Sequence, residues 1–457
     1  MNTTANGTVP LSPPTTASPA SAGHIGRIVA TSLVGGAVLA LVLALLVFGG
    51  ATEPVVGGAV LIGFAAGWAA LAWTSQRRTD QPQPWAWVPA GVFGTVGLAQ
   101  IALRPGAGVM NASAWVWPVL LLAVAGWIVT RSRRTLLSWS RRLVVYPIAG
   151  VMVMSAAGAG YESVREAMDS SAHHMTGQLV SVGDHRLHIS CAGTGSPTVV
   201  LEPGLGEPAV MMAGWIQPAV ALTTRVCSYD RAGRGDSDPA SGPQDGPAMA
   251  RDLHALLANA HVPGPYVLVG HSSGAVYMKV YAHQYPEQVA GMVLLDPQPS
   301  NAYAALPGWS TFHFLFRRYS AIVPSIARLG GMRLIYQSQA ADLPSAARSE
   351  ERADWSTARH NRSVRDEFAE LRTVLAQSQA LTSIGDKPLI VLTALKDMQN
   401  GWLPLQDKML TLSTNSQHRF APNGTHASLT EDRGQAAISA TAIVDVVNAV
   451  RDSDGPR

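Results

Sequence analysis

The chain has 457 residues, 47% hydrophobic and 14% charged. An ordinary soluble chain carries about 25% charged residues, so a one-domain soluble enzyme, a disordered chain and a disulfide-rich mini-protein are excluded. Charge is unevenly divided: residues 1–160 hold nine Arg, two acidic residues and no Lys, a balance of +7, and residues 161–457 carry −4. Eight of the twelve Trp also precede residue 160. The first third therefore reads as a membrane domain and the rest as a globular one. Positive charge beside apolar segments is no argument for nucleic acid, and none is expected as a partner. The sequence has no internal repeat, zinc-ligand spacing or phosphate-cradling Gly loop, so no metal is expected either.

Residues 1–26 are rich in Thr, Ser, Pro and Ala and contain no Asp, Glu, Lys or Arg. Such a segment buries too little apolar surface to offset its ordering entropy and is expected to be a disordered tail. Within 27–160, five uncharged apolar stretches follow, at about 28–48, 55–74, 85–103, 113–130 and 143–160. Each approaches the length needed to cross about 30 Å of hydrocarbon. The first is too long for a signal-peptide core and is followed by others. The expectation is an all-α transmembrane bundle of about five helices in contact with a lipid bilayer.

Arg placement orients it. Arg27, Arg77, Arg78 and the group Arg131, Arg133, Arg134, Arg141 and Arg142 lie in alternate connections, and the other short connections hold only Glu53 and Arg104. That bias keeps basic loops inside. It predicts a multi-pass protein of the cell membrane with a cytoplasmic N-terminus and, after five crossings, an extracytoplasmic globular domain. Residues 161–176 read as a linker.

From 177 to about 450 short β-rich runs alternate with helical ones. Gln178–Val182 and Arg186–Cys191 flank Gly183-Asp184, a hairpin signal. Thr198–Leu201, Arg225–Tyr229, Tyr266–Val269, Gly291–Leu295 and Pro388–Thr393 follow, with helical segments between most of them. The pattern predicts an α/β domain, a mostly parallel sheet with helices on both faces. An Ala- and Arg-rich helical stretch at about 298–385 interrupts it, as an inserted cap would. Residues 451–457 are left as a tail.

The strongest local motif is Gly270-His271-Ser272-Ser273-Gly274, after an apolar strand and before a helical run. Such a serine sits on a cramped strand-to-helix turn whose glycines relieve collisions and leave the hydroxyl exposed above the sheet. With this elbow, the chain over most of 175–450 resembles the α/β-hydrolase fold family. Tyr229-Asp230-Arg231-Ala232-Gly233-Arg234-Gly235-Asp236-Ser237 is similar to the segment after the family's fourth strand. Glu202-Pro203-Gly204-Leu205-Gly206 occupies the place of its oxyanion loop, which commonly begins His-Gly.

A serine hydroxyl needs a base within hydrogen-bond reach. The candidate is His426, in Asn423-Gly424-Thr425-His426 after the last strand; His271 is expected to pack or shape the pocket, and His173-His174 to lie in solvent. The base needs a carboxylate to fix its tautomer. Asp397, after the strand ending at Thr393, is preferred because the family often places its acid there, in the order Ser, Asp, His; Asp296, ending the preceding strand, is the alternative. Asp230, Asp236 and Asp238 read as turn formers. The resemblance implies an oxyanion held by the Ser273 and Leu205 amides and acyl transfer from an ester-like substrate through Ser272. No cofactor is implied, and the partner is a small-molecule ester or acyl compound. Epoxide and haloalkane hydrolases of the family use Asp as nucleophile, where this chain has Ser272. An acyltransferase, a peptidase and a non-catalytic binding module on the same fold are the rival expectations. The resemblance also makes the second and fourth strands neighbours, so Cys191 and Cys227 could bridge, the other possibility being two buried free thiols.

Overall fold

The structure, a computed structural model, describes residues 24–136, 145–338 and 342–454. Most of the expected N-terminal tail, together with Arg141 and Arg142, lies outside the described residues.

The N-terminal part is helical: α1 (His24–Val42, continued by a π-helical turn at Leu43–Val47), α2 (Glu53–Arg78), α3 (Trp87–Leu103), α4 (Ala107–Ser113), α5 (Trp117–Thr135) and α6 (Val145–Ala172). Small residues let α1 and α2 pack closely, as in membrane helix pairs: a Cβ on Gly36 would lie 2.6 Å from the Gly67 Cα. Among the described residues, three helices are long and apolar enough to cross a membrane: Ile25–Val47, Glu53–Arg78 and Pro84–Leu103. The pair α4 and α5, bent by 48°, would make a fourth. The fifth expected run, 143–160, begins outside the described residues. Helix α6 holds the rest of that run and continues without a break into a segment bearing Glu162, Arg165, Glu166 and Asp169. The expected linker is thus largely helix, held where Glu162 meets Arg333 at 2.6 Å.

Eight strands follow: β1 (Gln178–Ser181), β2 (Arg186–Ala192), β3 (Thr198–Glu202), β4 (Val226–Tyr229), β5 (Tyr266–His271), β6 (Val289–Leu295), β7 (Leu389–Ala394) and β8 (Ser416–Ala421). They form one sheet in the order β1-β2-β4-β3-β5-β6-β7-β8. β1–β2 and β2–β4 pair antiparallel and the remaining pairs are parallel. The central strands are apolar on both sides, as a sheet covered on both faces requires. Leu268 joins a core with Leu253 and Leu256 of α7 (Gly246–Asn259) and Met278 of α8 (Gly274–Gln284). Its neighbours Val267 and Val269 face the other way, onto Ile443 and Val447 of the C-terminal helix. Helix α7 starts where it does because Asp245 accepts the Ala248 N–H at 2.9 Å, with Pro247 in the first turn.

Between β6 and β7 lies the helical insertion: α9 (Trp309–Arg328), α10 (Gly331–Ser338), α11 (Ser345–Ser356) and α12 (Ala358–Gln377). After β8 the last helix, α13, runs Arg433–Asp454, so part of the expected C-terminal tail is helical. Cys191 and Cys227 stand directly opposite one another on β2 and β4, with Cα atoms 4.0 Å apart, and form a disulfide.

Candidate active site

The chain turns from β5 into α8 within two residues, and Ser272 takes a left-handed φ of 53° to do so. A non-glycine residue there carries strain of about 1–3 kcal/mol, offset locally by the Ser272 N–H, which donates to Leu295 O at 3.0 Å. A Cβ on Gly270 would lie 2.4 Å from the Ala275 nitrogen, and one on Gly274 2.4 Å from the Glu202 carbonyl oxygen. Only glycine fits at either place, which is the physical content of the sequence motif.

Above this turn three side chains from three loops meet. His426 Nε2 lies 2.9 Å from Ser272 Oγ, and His426 Nδ1 lies 2.5 Å from Asp296 Oδ2. Asp296 follows β6 directly, at φ 40°, and is 4% exposed. Its second oxygen accepts from Gln406 Nε2 at 2.9 Å and the Ala394 N–H at 3.4 Å. Burial pushes the Asp296 carboxyl up, but its hydrogen bond to His426, the imidazole charge and Gln406 outweigh it, and the net displacement is downward. The group is ionised where an imidazolium would form.

The geometry thus joins Ser272 and His426 to Asp296, the alternative acid, and not to the preferred Asp397. Asp397 sits three residues beyond β7, at φ 62° and exposed. The two carboxylates leave adjacent strands at the same end of the sheet, but only Asp296 leaves within one residue of its strand, under the imidazole.

His271, fully buried beside the serine, is held on both sides by acceptors. Its Nδ1 meets Glu207 Oε2 at 3.2 Å and its Nε2 meets the His426 carbonyl oxygen at 3.0 Å. Two acceptors facing the two ring nitrogens favour the doubly protonated ring. Burial lowers its pKa, yet the Glu207 charge and hydrogen bond more than reverse this and leave it raised. Glu207 mirrors it: burial raises the carboxyl, and His271 draws it below its usual range. His173 contacts Asp236 at 2.9 Å, away from the serine.

Glu207 also accepts the Gly204 N–H at 2.7 Å, and Glu367 of α12 accepts the Gly206 N–H at 3.2 Å. The intervening Leu205 amide, like that of Ser273, donates to no protein acceptor among the described residues. Arg231 donates to the Pro203 and Gly204 carbonyls at 2.8 and 2.5 Å and pairs with Glu202 and with Glu367, the latter at 2.9 Å. Arg234 donates to the Gly206 carbonyl at 3.0 Å and also pairs with Glu367. The Asp230–Ser237 segment therefore clamps the loop that carries Leu205. Asp230 itself does more than form a turn, since it bonds His188 Nδ1 and the Ala209 N–H, each at 2.7 Å. Glu367, Glu207 and Gln406 were not singled out by sequence reasoning. The family loop signal at 202–206 pointed to this place without naming what would hold it.

Residues 197–362 match the family model described as alpha/beta hydrolase fold. A protein named "Probable transporter efuK" from Hormonema carpetanum is 32% identical over 142 residues, 29% of this chain and 20% of that one. An uncharacterized vacuolar membrane protein from Saccharomyces cerevisiae is 28% identical over 129 residues, 24% of this chain and 20% of that one. The chain spans only about a fifth of the length of each. Among solved structures, the Cif epoxide hydrolase from Acinetobacter nosocomialis superposes with a TM-score of 0.53 at 14% identity, covering 63% of this chain and 96% of that one; at that identity the likeness is one of fold. The strand order, the elbow at Ser272 and the family match together make residues 178–454 an α/β-hydrolase-fold domain, preceded by helices apolar enough for a membrane.

Proposed function

We propose that the protein is a membrane-anchored serine hydrolase that cleaves ester-like bonds through an acyl-enzyme. The observation that carries this is the continuous chain Ser272 Oγ, His426, Asp296 Oδ2, with links of 2.9 and 2.5 Å. In this mechanism Asp296 holds the proton on His426 Nδ1, leaving Nε2 free to take the proton of Ser272 as it attacks the carbonyl carbon. The oxyanion is held by the Ser273 and Leu205 amides, a term worth about 3–4 kcal/mol per donor. His426 returns the proton to the leaving alcohol, and water activated the same way releases the acid.

The hydrolase domain is proposed to face away from the cytoplasm. Helices α5 and α6 pack in one core through Ile128 and Met152, and counting both as crossings keeps the number odd. The Cys191–Cys227 disulfide supports the oxidising side.

Labelling by a fluorophosphonate and turnover of p-nitrophenyl esters test the function. Ser272→Ala is expected to lose labelling and at least 1,000-fold in kcat while keeping the parent melting temperature. Unlabelled and inactive parent protein would show a binding module instead, and a variant with near-normal turnover would overturn Ser272 as the nucleophile.

A further inference from the structure

The cap does not stand free of the helical domain. Helix α9 lies against the first membrane hairpin, and it does so along the spans as well as at their ends. Ala321 packs in one buried cluster with Ala44 and Val56, with Ile322 and Val60 against it. Ala44 belongs to the span ending at Val47 and Val60 to the span starting at Glu53. At 1.5 Å per residue, Val60 is about 10 Å inside its helix end. Arg318 donates to the Leu45 carbonyl at 3.0 Å. At the end of α9, Arg328 pairs with the buried Glu53 and donates to Asn111 of α4 at 3.1 Å.

A helix seated at that depth cannot present its far side to bulk water if the hairpin is in a bilayer. That far side is apolar: Phe312, Leu315 and Tyr319 are 45–58% exposed and share a face at helical spacing, and Phe314, 51% exposed, lies at the edge where Arg318 meets the hairpin. Leu46 and Val47 of the adjoining span, 67% and 60% exposed, are next along the chain to the Leu45 that Arg318 grips. The Arg318 guanidinium lies 3.4 Å from the centre of the Phe314 ring, the placement of a cation that keeps its stem in an apolar layer.

An adjoining stripe of α9, where Phe316 packs against Phe312 and Tyr319, looks toward the site. Phe316 lies 4.4 Å, centroid to centroid, from Phe368 of α12. Phe368 shares a cluster with Tyr277 of α8, and Leu205 of the oxyanion loop packs on it.

We propose that α9 is an interfacial helix whose Phe312, Phe314, Leu315 and Tyr319 lie in the lipid headgroup–acyl boundary, and that it forms the wall across which the site receives a bilayer-dissolved, long-chain ester. The occupant of the exposed face is the bilayer, by continuity with the spans. The substrate half rests on the serine-hydrolase reading; the lipid contact does not.

Both cysteines are bridged, so a single added cysteine can carry a nitroxide. Full-length Phe312→Cys, Leu315→Cys, Tyr319→Cys and the control Leu222→Cys, the last at a site 89% exposed, are placed in phosphatidylcholine–phosphatidylglycerol nanodiscs. Fluorophosphonate labelling at the parent rate confirms that each is folded. Spin relaxation at 312, 315 and 319 is expected to respond more to oxygen than to a water-soluble nickel chelate, with the reverse at 222. An aqueous profile at 315 and 319 like that at 222 overturns the lipid contact. For the substrate, the double variant Leu315→Asp, Tyr319→Asp is expected to hydrolyse a vesicle-borne p-nitrophenyl palmitate at least tenfold more slowly, with p-nitrophenyl acetate turnover within twofold of the parent. An equal loss on both esters, or no loss on either, overturns the substrate class. A parent protein inert to both esters overturns the hydrolase reading and the substrate half with it, leaving the relaxation result to decide the lipid contact alone.

Discussion

Replacing Asp296 by Asn tests the site at the point where sequence and geometry diverge. The Asp296 oxygen that does not touch His426 accepts from Gln406 Nε2 at 2.9 Å and from the Ala394 N–H at 3.4 Å. An Asn at 296 must therefore leave its carbonyl oxygen there and turn its amide nitrogen toward His426 Nδ1. Nδ1 then has to accept, the ring proton moves to Nε2, and the nitrogen facing Ser272 can no longer take a proton. The charge-assisted bond to the imidazolium, worth about 1.5–3 kcal/mol, is lost as well. Together these should lower kcat by about 1,000- to 10,000-fold, or roughly 4–5.5 kcal/mol of barrier. Asp397→Asn, on an exposed turn, should stay within about threefold of the parent by the small ΔΔG usual for exposed sites. Steady-state turnover of one p-nitrophenyl ester, with the rate of fluorophosphonate labelling alongside, measures both, and the labelling rate of Asp296→Asn should fall with turnover. A larger loss for Asp397→Asn than for Asp296→Asn would refute the tautomer argument and move the acid to the end of β7.

Three further outcomes follow from the same structure. Gly274→Ala puts a methyl group 2.4 Å from the Glu202 carbonyl oxygen and should cost at least about 1–3 kcal/mol by overpacking and depress Ser272 labelling; Gly242→Ala, with open space around it, should change neither, as melting curves and labelling rates will show. Removing the disulfide with Cys191→Ser, Cys227→Ser frees a 36-residue separation and should cost at most about 4 kcal/mol, seen as a lower melting temperature that no longer responds to reductant. His188 is placed between Asp230 at 2.7 Å and the Thr176 carbonyl at 2.5 Å; burial lowers its pKa, but these partners carry it from 6.5 up to about 9. The folded state then binds the extra proton between those values, so at most about 3 kcal/mol of stability is present in full below pH 6.5 and lost as pH rises through 9. His188→Gln should flatten that slope in melting temperature against pH, and an unchanged slope would assign it elsewhere.

The parts of this molecule that were legible in the sequence are those set by neighbours along the chain. The Gly270–Gly274 turn is one, because its two forbidden Cβ positions lie within one strand-to-helix junction and on the strand beside it. The buried parallel strands are another, since burial on both faces leaves a continuous apolar run. The choice between Asp296 and Asp397 was not legible: both follow apolar strands, and one residue of turn against three decides which carboxylate lies under the imidazole. The continuation of helix α6 past its apolar run was not legible either: Glu162 and Asp169 meet Arg333 at 2.6 and 2.9 Å, more than 160 residues away.

Glu367 shows the same limit from the other side and carries more of the design. On a helix as charged as α12 it reads as one of a solvated set. In the fold it is buried, accepting from Arg231, Arg234, Tyr277 and the Gly206 amide. Burial raises its carboxyl and the two guanidiniums more than reverse this, whereas Glu202, facing one guanidinium, Arg231, and the Tyr229 hydroxyl, stays raised by burial. Buried ion pairs of this kind are weak sources of stability, and apolar replacements often do as well. What an apolar replacement could not do is occupy the Gly206 amide and both flanking carbonyls while leaving the Leu205 amide free. The same helix contacts Glu53 of the membrane hairpin through Arg362, at 3.5 Å. A cap built this way cannot shift on the membrane side without moving the carboxylate that holds the Gly204–Gly206 loop, the proposed oxyanion loop. If, as proposed, the substrate arrives from the bilayer, the element that meets the membrane and the element that completes the site are one and the same helix pair, α9 and α12.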